Sequence, residues 1–225
     1  MKIISHNILS SEQPKVDALL AADADLWVVP EMASTDLLAV PDGYTADWFG
    51  SPNLKKKGLG VVWKNEHTCE VPDWFNPDFK YVKPYILDGK LLVLAFWPTK
   101  AENCAKMTYP KIAYEALKYY KTQLMNHDCV IAGDFNCFPG QSEESSSASM
   151  RLIWDFLVDK GFASAYHKTT GELLGQESRK TFFMNRKEEK GYFLDYVFTN
   201  RPIVSYELGE FDKTFSDHVR QALVL

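Results

Sequence analysis

The sequence predicts a mixed α/β fold, on three observations. Apolar runs of strand length recur from residues 2–9 to the stretch that ends at Leu225. Between them lie segments with apolar residues at helical spacing, such as Val16, Leu19 and Leu20. And Asp88-Gly89 separates two β-prone runs, the pair best suited to the positive φ angles of a two-residue hairpin turn. A chain of 225 residues can bury one large core, so residues 1–225 are expected to form a single domain.

Residues 2–9 have the character of a first strand, with Asn7 near its end. Pro14 and the Val16 set open a short helix that should end near Asp23. Leu26-Trp27-Val28-Val29 is a second buried strand, stopping at Pro30-Glu31. From Gly43 to Cys69 short β-like runs alternate with turns, and Gly58 to Trp63 reads as a strand entered through glycines. The hairpin joins residues 81–87 to 90–97, and Pro98 ends it. One amphipathic helix is expected over 109–127, with Ala113, Ala116, Leu117, Tyr120 and Leu124 on one face. Cys129 to Ala132 then suits a buried strand. The serine- and glutamate-rich stretch 141–148 is expected to be a mobile surface loop, because helical residues Leu152, Ile153, Phe156 and Leu157 resume at once and Gly161 is placed to end them. Residues 169–190 read as a long loop or hairpin, and 192–198 as a strand with Asp195 in its middle.

Composition is that of an ordinary globular chain, with 46% hydrophobic and 14% aromatic residues. A net charge of -5 excludes the overall basic footprint of a general nucleic-acid binder, though not a local patch. Two stretches could supply one: Lys55-Lys56-Lys57, and Arg179, Lys180, Arg186, Lys187 and Lys190 interleaved with Phe182, Phe183 and Met184. Each reads either as a solvated loop or as a phosphate-facing surface. Cys69, Cys104, Cys129 and Cys137 lack CxxC spacing and read as reduced thiols. No signal-like h-region and no run of the ~20 apolar residues needed for a membrane span is present, so the cytoplasm is the default compartment.

The chemistry-bearing residues gather where strands end. In Gly133-Asp134-Phe135-Asn136 the glycine lets the backbone turn or approach a ligand closely. Asp134 and Asn136, two positions apart, share a side in extended chain. One is an anionic acceptor and a base; the other offers both donor and acceptor. Such a pair suits the positioning of a nucleophilic water, or else an Asx turn capping a loop. Glu31 closes another strand, Asp195 is a buried carboxylate in need of a partner, and Asp217 stands beside His218 before the terminal strand.

In this order, Asn7, Glu31, the Gly133-Asp134-Phe135-Asn136 tetrad, Leu194-Asp195-Tyr196 and Ser216-Asp217-His218 resemble the endonuclease/exonuclease/phosphatase superfamily, and the resemblance runs over nearly the whole chain. It implies a four-layer α/β sandwich of two packed, mostly antiparallel sheets flanked by helices, with the site at one end. It implies that Glu31, helped by Asn7 and Asp217, holds Mg²⁺ or Mn²⁺, an ion suited to hard oxygen ligands. Asp134 would then orient or deprotonate the attacking water, and Asn136 would hold that water or a phosphate oxygen. His218, kept in its tautomer by Asp195, would donate to the scissile phosphate.

The chain also departs from that pattern. Where many members carry an imidazole, or a tyrosine before proline, it has Phe96 and Trp97, so one phosphate-binding group is either missing or supplied from elsewhere, by Tyr109 or His167. Arg220 replaces a usual proline, and His6 stands where tryptophan is frequent. The expected activity is divalent-metal-dependent phosphodiester hydrolysis with nucleic acid as substrate. Hydrolysis of a small phosphoester or phospholipid head group, and a binding module without activity, are the alternatives.

Overall fold

The computed structural model describes residues 1–10, 12–100 and 106–225. In chain order the elements are β1 (Lys2–Ser5), α1 (Gln13–Leu20), β2 (Leu26–Met32), β3 (Tyr44–Gly50), β4 (Gly58–Lys64), β5 (Cys69–Glu70), β6 (Val82–Leu87) and β7 (Leu91–Phe96). They continue with α2 (Tyr109–Tyr119), α3 (Lys121–Asn126), β8 (Asp128–Asp134), α4 (Met150–Val158), β9 (Ala163–Ser164) and α5 (Ala165–Thr170). The chain closes with β10 (Phe182–Phe183), β11 (Gly191–Tyr192), β12 (Asp195–Thr199), β13 (Ser205–Leu208) and β14 (Gln221–Val224).

Two six-stranded sheets result, in the orders β13-β14-β1-β2-β4-β3 and β5-β6-β7-β8-β12-β9, with β10 and β11 as a separate small hairpin. Each large sheet has one parallel pair near its middle, β1 with β2 and β7 with β8, and antiparallel neighbours around it. This is the expected four-layer sandwich. Leu26 and Val28 face the layer between the sheets with Ile3, Val93, Ala95 and Ala132, whereas Trp27 and Val29 face Val16, Leu19 and Leu20 of α1. On the other side, Ala113, Ala116, Leu117, Leu124, Ile153 and Leu157 of α2, α3 and α4 cover Leu92, Leu94 and Ile131. Both faces of the central strands are therefore buried, which is why they read as unbroken apolar runs. No helix among the described residues is long and apolar enough to cross a membrane.

Four local expectations are corrected. The helix over 109–127 is two helices broken at Tyr120, whose ring is buried against Trp74 and Phe79 and whose hydroxyl accepts from the Asn76 amide at 3.1 Å. Residues 192–198 are not one strand: the chain breaks at Phe193-Leu194, and Asp195 opens β12 instead of standing in its middle. β2 does not stop at Pro30-Glu31 but runs to Met32 through a bulge. The stretch 141–148 is pinned: Glu144 accepts from the Gly140 and Met150 amides at 2.8 and 2.7 Å, and Glu143 from the Tyr109 amide at 3.1 Å. Cys69, Cys129 and Cys137 are free thiols, as expected; Cys104 lies outside the described residues.

The end of β8 is shaped by Gly133, at φ 146°, where a Cβ would run into the Phe96 carbonyl of β7. Gly133→Ala is therefore expected to destabilise the protein by roughly 3 kcal/mol or more. A urea unfolding midpoint unchanged from wild type would show that the backbone there relaxes freely.

Candidate active site

At the carboxyl ends of β1, β2 and β8, polar side chains from five chain segments converge. Asp134 closes β8 directly opposite Asp195, which opens β12. Two carboxylates facing each other across a sheet repel, and both are buried. His218 supplies the compensating group. Its Nδ1 lies 2.9 and 3.0 Å from the two oxygens of Asp195, while its Nε2 lies 3.9 Å from one oxygen each of Asp134 and Asp217. Asn7, in the loop that follows β1, donates its Nδ2 to Asp134 at 3.1 Å. The Asn136 amide donates to the other Asp134 oxygen at 2.8 Å. Asp134 thus accepts hydrogen bonds on both oxygens and points one of them at an imidazole.

The surroundings hold this cluster still. Thr181 Oγ1 accepts from the Leu194 and Asp195 amides, both at 3.0 Å, at the break that frees Asp195. Ser216 Oγ donates to the Asn7 carbonyl at 2.7 Å and accepts from the His218 amide at 3.1 Å, tying the segment before β14 to the one after β1. The Phe182 ring packs on the His218 ring at 4.7 Å between centroids. His6 lies with Nε2 3.2 Å from the His218 carbonyl and stacks on Phe215. Burial drives the His6 pKa down to about 3, so that ring is neutral in its bond.

The electrostatics follow from burial and sign. Burial, and then the charge of Asp195, push the Asp134 carboxyl up, against His218 and the two hydrogen bonds that favour its anion. Burial alone would strip the proton from His218, but Asp195, then Asp134 and Asp217, more than offset this and raise its pKa. Burial also raises Asp217, with Glu31 and Asp195 adding to the effect and His218 opposing it. The centre therefore pairs a reluctant carboxylate with a persistent imidazolium.

Glu31 sits beside this group on a cleft of about 890 Å³ lined also by Lys57, Lys80, Trp97, Lys100, Tyr109 and Asn136. It occupies the β2 bulge at φ 62°, and Lys57 holds its Oε2 at 2.5 Å. Asp217 Oδ1 is a buried oxygen without a hydrogen-bond partner among the described residues, and Glu31 Oε2, also buried, is met only by the Lys57 ammonium. Asn7 Oδ1 accepts only the Leu9 amide at 3.0 Å and keeps a second lone pair. These hard oxygen donors fit a divalent cation of the magnesium type.

Asn7, Asp134, Asp195, Asp217 and His218 thus meet as expected, Asn136 bridges them to the cleft through Asp134, and Glu31 faces the group from the cleft side. His167 does not belong here. It is buried between Ser164 and Glu177, at 2.8 and 3.1 Å, against Trp154. Tyr109, the other substitute for the missing phosphate ligand, does line the cleft. Phe96 is buried against Phe135 and never reaches it. Phe182 was singled out only as part of a basic and aromatic patch, and Thr181 was not anticipated; a lone threonine in a charged stretch carries no signal of its service to a strand break. Of the triple lysine, Lys57 reaches Glu31, while Lys55 pairs with Asp36.

Two helix-flanked sheets whose strand ends assemble an acid–imidazole centre define an α/β sandwich with its site at one end. The endonuclease/exonuclease/phosphatase family model matches residues 4–218. The chain belongs to that family, whose members are divalent-metal-dependent phosphoesterases. Among solved structures it resembles the catalytic domain of Xenopus laevis APE2, at 15% identity and TM-score 0.70, over 100% of this chain and 91% of that one. AP endonuclease LMAP from Leishmania major gives 13% identity and TM-score 0.69, over 99% and 86%. An endonuclease/exonuclease/phosphatase from Beutenbergia cavernae gives 14% and 0.61, over 99% and 70%. No curated protein matches the sequence.

Because the Asp134 pKa is raised on folding, the native state holds that proton more tightly than the unfolded chain, and stability falls as pH rises from the unfolded carboxyl pKa through the folded one. Asp134→Asn removes this penalty. At pH 8 the variant should be at least as stable as wild type in denaturant melts, with the gap closing toward pH 4; a variant less stable at pH 8 would mean that the anion is favoured in the fold.

Proposed function

We propose that the chain is a divalent-metal-dependent phosphodiester hydrolase acting on nucleic acid, with residues 1–225 as one catalytic unit. The observation that carries this reading is the pairing of Asp134 with Asp195 through His218, beside the unpartnered Oδ1 of Asp217 and the Glu31 carboxylate on the cleft. Glu31, Asn7 and Asp217 would hold Mg²⁺ or Mn²⁺, which supplies Lewis-acid stabilisation of the phosphoryl oxygens. Asp134, fixed by Asn7 and the Asn136 amide, orients the attacking water and takes its proton. Asn136, whose side chain donates to the Pro98 carbonyl at 3.1 Å and lines the cleft, steadies that water or a phosphate oxygen. His218, held by Asp195, donates from Nε2 to the phosphate as negative charge develops.

Nucleic acid is favoured over a small phosphoester by the cleft. Its volume exceeds that of one phosphoester group, and Lys57, Lys80 and Lys100 line it beside Trp97 and Tyr109. Cations with aromatic faces are the usual furniture of a strand-binding groove. Two of the similar structures are of an APE2 catalytic domain and an AP endonuclease, which agrees with that reading.

With Mg²⁺ or Mn²⁺ supplied, Asp134→Ala and Glu31→Ala should each lower turnover on single- and double-stranded oligonucleotides by about 10²–10⁴-fold with the fold retained by circular dichroism. Wild-type turnover in both would refute the assignment. Hydrolysis of inositol phosphates or sphingomyelin with no oligonucleotide cleavage would move the substrate class to the small phosphoesters.

Asp134 must be ionised and His218 protonated, so the rate should climb through a limb at or below about 7, since a bound cation eases the carboxylate, and fall through a limb near about 9. His218→Ala should abolish the alkaline limb. A profile flat from pH 6 to 10 in wild type would exclude these two groups as the titrating pair.

A further inference from the structure

Asp25 precedes β2, Glu66 and His67 follow β4, and Asp88 begins the turn between β6 and β7, so these four residues gather at the opposite end of the sandwich from Asp134. His67 Nδ1 lies 2.8 Å from Asp88 Oδ2, and Asp88 Oδ1 accepts the Thr68 amide at 3.0 Å. With its proton on Nδ1, the neutral ring presents a lone pair at Nε2. That atom is buried, has no hydrogen-bond partner, and lies 3.5 Å from Asp25 Oδ1 and 3.8 Å from Glu66 Oε1. The second oxygen of Asp25 is fixed by the Lys2 amide at 2.6 Å.

We propose that His67 Nε2, Asp25 Oδ1 and Glu66 Oε1 form a second metal site, for a transition-metal ion of the zinc class, separate from the phosphoesterase centre. The three atoms lie within 4.8 Å of one another. Two ligands of a tetrahedral zinc ion at roughly 2.0–2.1 Å stand about 3.4 Å apart, close to the spacing of Nε2 from both oxygens. The imidazole also carries the outer support that such ligands need: a carboxylate on its far nitrogen sets the tautomer and orients the ring. One nitrogen with two carboxylates is a donor set that favours zinc, cobalt or nickel over magnesium. Three protein ligands leave a position for water.

Asp25 Oδ1 stands at the outer limit of hydrogen-bond range from Nε2 and Glu66 Oε1 beyond it, so an ion at this site would take the place of the proton that otherwise pairs the ring with these acids. An ion here would join β2 and β4 of one sheet, through Asp88, to the β6–β7 turn of the other. Its role would be to lock the two sheets at the end remote from catalysis.

The test uses tag-free protein stripped with chelator and carrying Glu31→Gln and Asp217→Asn, so that the phosphoesterase centre does not compete. Titration with Co²⁺ should give tetrahedral d–d absorption at one ion per chain, and Zn²⁺ should displace it while millimolar Mg²⁺ does not. His67→Ala should abolish binding. Glu66→Gln, a change at an exposed side chain that the fold tolerates, should weaken it at least 10-fold. With Glu31 and Asp217 intact, His67→Ala should keep oligonucleotide hydrolysis within about 2-fold of wild type. A folded protein that binds neither Co²⁺ nor Zn²⁺ at micromolar concentration overturns the proposal, as does binding that both variants leave unchanged.

Discussion

The structure depends at its functional end on one unfavourable adjacency, Asp134 set directly opposite Asp195 by the register of β8 and β12. Like charges facing each other in a dry site raise each other's energy, and burial compounds this. The arrangement persists because the segment leading into β14 delivers an imidazole that binds one acid closely and faces the other. Ser216, Thr181, Phe182 and the neutral His6 each hold some part of that delivery in place. The contacts joining the ends of β1, β8, β12 and β14 thus converge on a single need, to keep a cation beside two carboxylates. What results is a buried acid–imidazole cluster whose members hold complementary charge states.

Backbone strain is also present at the same end. Glu31 and Asn136 both adopt positive φ, at 62° and 52°, a conformation that costs a side-chain-bearing residue of order 1 kcal/mol or more. In β2 the reason can be followed residue by residue. Leu26 and Val28 face the inner layer, and Trp27 and Val29 face α1. Unbroken alternation would send Met32 inward and Glu31 toward α1. Met32 instead packs in the α1 layer. The bulge between Pro30 and Met32 therefore shifts the pattern by one residue and releases Glu31 from the apolar layer to the cleft.

Much of this was legible in the sequence, for reasons that differ by residue. Gly133-Asp134-Phe135-Asn136 stands out because a buried strand ends in groups that burial alone would exclude. Asp217-His218 stands out as an acid beside an imidazole just before the terminal strand. The register that sets Asp134 against Asp195 was hidden, since pairing between β8 and β12 is decided by residues far apart in the chain. Thr181 was hidden too, because its function is to receive two amides at a break that propensity had smoothed into one strand. Tyr120 misled in the opposite sense: its helical spacing was sound, but its burial among Trp74, Phe79 and Asn76 bent the helix it was expected to continue. The low-complexity stretch 141–148 read as a mobile surface loop, whereas Glu143 and Glu144 fold back on backbone amides of their own and distant segments.

The contrast between Phe96 and Trp97 bears on what kind of phosphoesterase this chain is. By sequence both stand where relatives place a phosphate-binding group, yet only Trp97 reaches the cleft; Phe96 is committed to the core with Phe135. Trp97 offers the cleft only its indole N–H in place of an imidazole or phenol. The donors that remain near the cleft arrive from other segments: Lys57 on the approach to β4, Lys100 beyond β7 and Tyr109 at the start of α2. Lys57 is already paired with Glu31, and Lys100 with Glu143 while lying over the Tyr109 ring. A phosphate entering the cleft thus meets cations whose present partners are carboxylates, and an ion beside Glu31 would release Lys57 to the incoming anion. Metal and substrate would then reinforce each other's binding through one shared side chain, a coupling that the missing imidazole makes more important in this chain.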